Sequence, residues 1–325
     1  MQQIRWGMIG CGSVTEVKSG PGFQKADGST LVAVTSRTPQ KARDYAMRHG
    51  IPKWYDNAQD LIDDEEVDAV YIATHPDSHS DYVMMVAASG KPVYCEKPLG
   101  ISSRQSKGMV DFCNQRGVPF FSAYYRRALP KYLMIKRMID SKQYGDVRAA
   151  HVFMQQTIKE EDKQNGGTWR VRPEVSGGGK FHDVGSHALD LIDWMLGPIS
   201  EACGEAMNQS KVYKADDVVY GHFKTEQGIP GTGLWCFNTF KDEDVTHIYL
   251  EKARISYSVL DIAQPITIAT LEGVRTIAVP DPPQHVAQPL IQTIVDQLLG
   301  RGTCPSTGES GMRTDFVLDR LISRV

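Results

Sequence analysis

The sequence has no long hydrophobic run: no apolar stretch approaches the ~20 residues that a membrane span requires. It also lacks any dense block of lysine and arginine, and its formal net charge is −3. We therefore expect neither a membrane partner nor a nucleic-acid partner, because charge would not draw the protein to either. The first expected strand starts at residue 4, which leaves no room for a secretory signal, so we expect a cytoplasmic protein.

Paired cysteines are lacking as well. The six cysteines are widely spaced, and none forms a C-x-x-C pair or lies beside a helical pair of histidines (Cys11, Cys95, Cys113, Cys203, Cys236 and Cys304). This spacing argues against structural zinc and against a disulfide framework. We expect buried, reduced thiols and no metal site.

The composition is that of a soluble globular protein, with 41% hydrophobic and 23% charged residues. A chain of 325 residues is too long for one ordinary hydrophobic core. Two domains are therefore expected, without internal repeats or low-complexity tracts.

The most distinctive stretch lies near the start and reads IRWGMIGCGSVT. A short apolar run meets Gly10 and Gly12, which predicts a buried strand that turns sharply into a helix. Such a turn opens a dinucleotide-binding βαβ unit, in which a pyrophosphate approaches the backbone at the glycines and at the following Ser13 and Val14. Thr15 stands where a third glycine or an alanine is usual, so a simple tight turn remains the alternative.

Strands and helices then alternate up to residue 123. The predicted strands are Leu31–Thr35, Val67–Ala73, Pro92–Cys95 and Val118–Ala123, and the predicted helices are Pro39–His49, Asn57–Asp63, Asp77–Ser89 and Ser102–Gln115. This alternation predicts a doubly wound parallel sheet, an α/β Rossmann domain over residues 1–123. In that context the glycine turn indicates a cofactor site.

Ligands of such sheets bind beyond the carboxyl ends of the strands. After the second strand, Ser36 and Arg37 stand where binders of NAD usually place an acid for the ribose hydroxyls. A guanidinium suits a 2′-phosphate, so the sequence favours NADP over NAD. The alternative is that Arg37 is a solvated surface residue and that NAD is held by the backbone alone.

Two further strand ends carry polar residues. Thr74 and His79 follow one strand, and Glu96 and Lys97 follow the next, where Pro98 ends the strand. Glu96 and Lys97 alone would be read as a surface ion pair. At the carboxyl edge of a dinucleotide-binding sheet, we expect them instead to face the cofactor.

The second part of the chain, residues 124–325, has a different pattern. A strand is predicted at Val147–Thr157, short extended runs follow one another from Ile199 to Val279, and two helices close the chain at Gln288–Leu299 and Glu309–Ser323. This pattern predicts an α+β domain with a large, mostly antiparallel open sheet. We expect the active site in the cleft between the two domains, and self-association as a homodimer or homotetramer through the exposed face of the sheet.

One helix of this second part, His182–Leu196, carries chemistry-bearing residues. Asp183, His187, Asp190 and Trp194 share one side, opposite an apolar face. The i, i+4 spacing places the Asp183 carboxylate one turn from the His187 imidazole, close enough to orient it. The alternative is an ordinary solvated face, although the side lacks the usual lysine and glutamate.

Together these motifs resemble the Gfo/Idh/MocA family of NAD(P)-dependent oxidoreductases over nearly the whole chain. The matching residues are Gly10-x-Gly12, Thr74-x-Pro76-x-x-His79, Cys95-Glu96-Lys97-Pro98, Trp169-Arg170 and Gly177-Gly178-Gly179-Lys180-Phe181-His182-Asp183-Val184-Gly185-Ser186-His187. Thr15 departs from the small residue usual at that position in the family, and Ser36-Arg37 replaces the acid-containing pair of NAD-using members. The Ser36-Arg37 pair looks more like that of NADP-using ones.

The resemblance implies that Lys97 and His187 flank the substrate carbon that faces the nicotinamide, with Asp183 contacting the same hydroxyl or orienting the imidazole. It also implies that Glu96 and His79 lie beside the cofactor, that Trp169-Arg170 reaches the cofactor from the second domain, and that the Lys97–Pro98 bond is cis.

The implied activity is hydride transfer between NADP(H) or NAD(H) and a secondary alcohol or ketone of a sugar, polyol or related small molecule. Two alternatives stay open. One is a dinucleotide-binding sensor without turnover, against which the complete Lys97, Asp183 and His187 set argues. The other is an NAD-dependent glycosidase that oxidises its substrate transiently.

Overall fold

The computed structural model describes residues 2–164 and 166–323. The chain divides into two compact units. The first contains residues up to 100, 104–129 and 283–312, and the second contains residues 101–103, 130–282 and 313 onward.

The units differ from the predicted domains mainly in one segment, 283–312, which belongs to the first unit although its sequence position suggested the second. Helical periodicity identifies the helix in this segment but not the sheet on which it packs. Its apolar residues Leu290, Ile291, Ile294 and Val295 join the core that contains Trp6 and other residues of the first strand.

The first unit is built on a six-stranded sheet. Its strands are β1 (Ile4–Ile9), β2 (Ser29–Thr35), β3 (Lys53–Tyr55), β4 (Ala69–Ile72), β5 (Val93–Cys95) and β6 (Phe120–Ser122). They are all parallel in the order β3-β2-β1-β4-β5-β6, so the order reverses between β1 and β4. The predicted Rossmann fold class is confirmed.

Helices cover both faces of this sheet. They are α1 (Ser13–Val17), α2 (Gly20–Lys25), α3 (Pro39–His49), α4 (Ala58–Asp63), α5 (His79–Ala88) and α6 (Ser103–Arg116). Alternate residues of β1 enter separate cores: Trp6 and Met8 pack in one, and Ile9 packs in the other. Both faces of the strand are therefore apolar, as a parallel sheet covered on two sides requires.

The second unit contains an eight-stranded sheet. Its strands are β7 (Val147–Gln155), β8 (Ile199–Met207), β9 (Val218–Thr225), β10 (Pro230–Cys236), β11 (Glu243–Leu250), β12 (Arg254–Tyr257), β13 (Ile266–Thr270) and β14 (Gly273–Ile277). The order is β14-β13-β12-β11-β7-β10-β9-β8, and only the described β7–β10 pair is parallel. The predicted mostly antiparallel sheet is confirmed.

Further helices complete the chain: α7 (Pro130–Asp140), α8 (Glu160–Lys163), α9 (Pro173–Ser176), α10 (Ser186–Leu196), α11 (Gln288–Leu298) and α12 (Gly308–Ile322). One face of β7 is buried through Ala150, Val152 and Met154, whereas His151 and Phe153 on the other face are only half-buried. Self-association through this second face stays a prediction.

Within the described ranges, no helix has both the length and the apolar content needed to cross a membrane. All six cysteines are free thiols. Cys95, Cys113 and Cys304 are buried as expected, but Cys203 is exposed. The expectation of buried thiols was wrong at Cys203, which lies on β8 at the edge of the open sheet, and Cys11 and Cys236 are only half-buried.

Candidate functional site

The carboxyl edge of the six-stranded sheet brings several predicted residues together. Gly10 follows β1 with φ at +109°, and a Cβ on it would lie 2.6 Å from the carbonyl oxygen of Ala73, which follows β4. Only glycine fits such a conformation and such an approach without strain. The turn therefore lies at the point where the strand order reverses, the usual ligand position in this fold.

Gly12 provides open backbone at the same edge. It precedes α1 in an extended conformation, and a Cβ on it would have no neighbour within 4 Å. Gly12 and Ser13 are exposed, and Val14 is half-buried. This cradle accommodates the pyrophosphate of a dinucleotide against backbone N–H groups, so the residues present fit the cofactor that the fold implies.

A cavity of about 330 Å³ lies beside this turn. Gly10, Ser36, Arg37 and Thr74, all predicted cofactor-binding residues, contribute to its lining. Arg37 is exposed and carries a guanidinium at the end of β2. The sequence predicted these four residues at the ends of three different strands, and in the structure they line the same cavity.

The helix after the glycine turn is interrupted, which the sequence analysis did not predict. Pro21 has no N–H to donate to the carbonyl of Val17, so α1 ends there and α2 starts at Gly20. The freed Val17 carbonyl accepts Nδ1–H of His285 at 2.6 Å. The next carbonyl, of Lys18, accepts the backbone N–H of Ala287 at 3.2 Å.

Thr15, at the position of the missing third glycine, belongs to the same interruption. Its side chain is fully buried and donates to the Gly12 carbonyl at 2.8 Å. The hydroxyl of Tyr45 donates to the Thr15 carbonyl at 2.7 Å, and a Cβ on Gly20 would lie 2.0 Å from that hydroxyl oxygen. A close approach that requires glycine therefore occurs at Gly20, against the Tyr45 hydroxyl and the Thr15 carbonyl.

Ser19, between α1 and α2, contacts Tyr71 of β4. The hydroxyl of Tyr71 lies 3.1 Å from Ser19 Oγ and donates to Glu96 Oε1 at 2.7 Å. Glu96 Oε2 accepts the backbone N–H of Lys97 at 3.2 Å, and the Lys97–Pro98 bond is cis, as the resemblance implied. Burial raises the pKa of the Glu96 carboxyl, and the Tyr71 hydroxyl opposes this shift. Glu96 thus anchors the Lys97 backbone.

His79 links two loops of the candidate site. Its ring is fully buried, with Nε2 3.2 Å from the Thr74 carbonyl oxygen and Nδ1 3.1 and 3.2 Å from the carbonyl oxygens of Pro98 and Leu99. Burial lowers the pKa of His79 to about 4. The imidazole is therefore neutral near pH 7 and donates from one ring nitrogen only, while its ring packs between the loop after Lys97 and the loop after β4.

This burial predicts a pH-dependent stability. Between pH 6.5 and 4 the unfolded chain protonates His79 but the folded chain does not, so stability falls as the pH falls. We expect the stability advantage of the natural protein over His79→Gln to shrink by about 3 kcal/mol from pH 7 to pH 4, measured by urea unfolding. A pH-independent difference would contradict the neutral, buried imidazole.

In the second unit, Asp183 lies in a π-helical turn, Phe181–Gly185, that leads into α10. Regular α-helical spacing was expected from His182 onward, so this part of the helix prediction was wrong. The Asp183 carboxylate accepts Arg170 Nε–H at 2.8 Å, and the Arg170 guanidinium lies over the Trp169 ring at 4.7 Å. The structure thereby joins three predicted site residues.

The polar side of α10 is buried rather than solvated. His187 is 5% exposed, Asp190 1% and Asp193 3%. Arg313 donates to the Asp193 carboxylate at 2.7 Å, and Thr314 donates to Asp190 at 3.4 Å. The alternative interpretation of a solvated face was wrong, because polar residues of α12 cover it.

The three glycines before this turn allow close packing. Gly177 and Gly179 have φ values of +87° and +73°. A Cβ on Gly178 would lie 2.1 Å from Nδ1 of His182, whose ring is buried. The His182 ring in turn lies 3.8 Å from the Asp319 carboxylate, which accepts the Ser103 N–H at 2.7 Å. These contacts fix the start of the turn that carries Asp183.

No group of three or more histidine, cysteine, aspartate or glutamate side chains in residues 2–164 and 166–323 is arranged to hold a metal ion.

Known families match both parts of the chain. Residues 4–124 match a family described as an oxidoreductase family with an NAD-binding Rossmann fold, and residues 132–256 match the GFO/IDH/MocA C-terminal domain. Oxidoreductase P35 from Formosa agariphila is 36% identical over 321 residues, 98% of each chain. The chain belongs to the Gfo/Idh/MocA family.

Other members are related over nearly the full length. A 1,5-anhydro-D-fructose reductase from Ensifer adhaerens is 25% identical over 317 residues, 95% of this chain and 92% of the relative. Levoglucosan dehydrogenase, solved with NADH and levoglucosan, shares the fold with a TM-score of 0.87 at 18% identity, covering 98% of this chain and 96% of that one. As a Gfo/Idh/MocA protein, the chain is an NAD(P)-binding oxidoreductase of the dehydrogenase or reductase type.

Lys97 belongs to the first unit of this Gfo/Idh/MocA protein, and Asp183 and His187 belong to the second. Sequence reasoning missed Ser19, Tyr71 and His285, which support the loops of the first unit. Pro21 was an available signal for the interrupted helix. The sequence around His285 carried no such signal, because its partner Val17 lies 268 residues away.

Proposed function

We propose that the protein transfers a hydride between NADP(H) and a secondary alcohol or ketone of a sugar, polyol or related diol. The observation that carries the proposal is the burial of two ionisable side chains four residues apart: Asp183, 9% exposed and paired with Arg170 in the π-helical turn, and His187, 5% exposed, in the first turn of α10. Active sites gather ionisable groups away from water, so these two side chains are candidates for proton transfer. The names of the related anhydrofructose reductase and levoglucosan dehydrogenase indicate sugar substrates for those proteins.

A nicotinamide held at the glycine turn would supply or accept the hydride in the proposed reaction. His187 removes the hydroxyl proton during oxidation and returns it during reduction, because an imidazole nitrogen can both accept and donate a proton. The Lys97 ammonium stabilises the negative charge that develops on the substrate oxygen, an effect commonly worth ~3–4 kcal/mol. Asp183, held by Arg170, orients the imidazole or the substrate hydroxyl.

A panel of sugars, polyols and diols tests this function. We expect at least one of them to change the absorbance of the reduced nicotinamide in a protein-dependent way. Cofactor binding without turnover of any compound would favour a sensor instead. Cleavage of a glycosidic bond by protein with co-purified dinucleotide, with no consumption of added NADP, would favour the glycosidase.

The cofactor preference for NADP rests on Arg37, which lines the cavity beside the glycine turn. A charge-assisted hydrogen bond to a 2′-phosphate is worth roughly 1.5–3 kcal/mol. Arg37→Ala is therefore expected to raise the KM for NADP about tenfold to a hundredfold and to leave the KM for NAD nearly unchanged.

The matched control is Arg43→Ala, because Arg43 is an exposed arginine of α3 that does not line the cavity. Steady-state kinetics with both dinucleotides measure the preference in each variant. Equal changes for NADP and NAD in the Arg37 variant would contradict a phosphate-binding role.

A further inference from the structure

A buried ion pair in the second unit has no role in the chemistry proposed above. Lys180 Nζ lies 2.7 Å from Asp162 Oδ2, with side chains only 5% and 2% exposed. The other oxygen of Asp162 accepts the Thr168 hydroxyl at 2.6 Å. Burying two opposite charges removes hydration that their attraction only roughly offsets, so apolar side chains of similar size would stabilise the fold about as well. Stabilisation of the fold therefore does not by itself explain why a lysine and an aspartate are buried together here.

The position of the Lys180–Asp162 pair suggests a role in holding two segments together. Lys180 directly precedes the π-helical turn that carries Asp183, and Asp162 lies in α8, at the start of the loop that carries Arg170. The loop is thus attached to the turn twice, by Lys180–Asp162 and by Arg170–Asp183 at 2.8 Å. Thr168 donates to Asp162 and is only two residues from Arg170. The Lys180–Asp162 pair is therefore connected to the Arg170–Asp183 pair through a short piece of backbone.

The backbone next to each of these ion pairs packs closely against Ala215. Val171, next to Arg170, packs with Ala215, and its carbonyl accepts the Ala215 N–H at 3.3 Å. A Cβ on Gly179, next to Lys180, would lie 2.5 Å from the Ala215 Cβ. Both segments therefore rest on the same residue and have little room to shift independently.

We propose that Lys180 and Asp162 are positioning residues that hold the Arg170 guanidinium against Asp183 and so fix the direction of its carboxylate. The inference rests on the proposed function, in which Asp183 orients the imidazole or the substrate hydroxyl. A small displacement of such a group lowers the rate strongly, because the reacting groups then lose alignment.

The test separates stability from activity. Lys180→Met leaves the Asp162 carboxylate buried without its cation, so both the melting temperature and kcat should fall. The double variant Lys180→Met/Asp162→Leu should recover most of the melting temperature but keep kcat about tenfold below that of the natural protein. Hydrogen exchange should become faster at the amides of 166–172 in this variant.

Coupling to Asp183 is the second readout. If the pair acts through Asp183, the double substitution should not lower kcat further in an Asp183→Asn background. The control variant is Lys163→Gln/Glu160→Gln, which removes an exposed ion pair of the same helix α8 and should change none of these quantities.

Natural kcat in the double variant, full additivity with Asp183→Asn, or a melting temperature that stays as low as in the single variant would each overturn the positioning role. Retained activity in Asp183→Asn alone would instead refute the proposed function of Asp183. In that case, hydrogen exchange in the Lys180→Met/Asp162→Leu variant still tests whether the ion pair holds the loop. Faster exchange at the amides of 166–172 supports this attachment, and unchanged exchange contradicts it.

Discussion

His187→Ala is expected to lower kcat at least about a hundredfold while the cofactor still binds. General acid–base catalysis by a positioned side chain contributes typically 10²–10⁴-fold, and His187 is the proposed proton carrier. Steady-state kinetics measure the loss, and quenching or enhancement of reduced nicotinamide fluorescence measures cofactor binding.

The control for this variant is His222→Ala, because His222 is an exposed histidine on β9 of the same unit. We expect its kcat to stay within about twofold of the natural value, as surface substitutions usually have small effects. Unchanged turnover in His187→Ala would remove the proton-transfer role from His187.

Lys97→Met is the second variant for which we expect a large effect. The methionine keeps most of the length of the side chain but cannot stabilise the negative charge on the substrate oxygen. Loss of an oxyanion contact costs about 10²–10³-fold in kcat, so a decrease of at least a hundredfold is expected with cofactor binding retained.

Lys107→Met is its matched control, since Lys107 is an exposed lysine of α6 in the same unit and pairs with Asp111 on the helix surface. Exposed pairs of this kind contribute little, so activity and stability should both stay near those of the natural protein. A Lys97→Met protein with natural kcat would show that another group carries the charge.

Local signals explain why much of the fold could be predicted from the sequence. The helix predicted at Pro39–His49 has those bounds in the structure, because Pro39 occupies the first turn and Gly50 adopts the left-handed conformation that ends it. The short strand β3 (Lys53–Tyr55) was missed, since three partly exposed residues give no periodic pattern. The two sheets followed from the spacing of strands and helices.

Contacts between residues far apart in the sequence could not be predicted from local patterns. Burial of the polar side of α10 depends on Arg313 and Thr314, more than 100 residues further along the chain. The sequence showed Asp183 and Arg170 as separate motifs, and only the folded loop brings the guanidinium to the carboxylate. Likewise, the hydrogen bond from His285 to the Val17 carbonyl at the end of α1 depends on the packing of a segment 268 residues away.

The proposed hydride transfer requires Lys97 and His187 to act on one substrate carbon beside the nicotinamide. A crystal structure with NADP and a substrate from the panel tests this requirement most directly. We expect Lys97 Nζ and His187 Nε2 both within hydrogen-bond distance, about 3 Å, of the same substrate oxygen. Side chains on opposite sides of the cofactor, or one of them far from the substrate, would contradict the account.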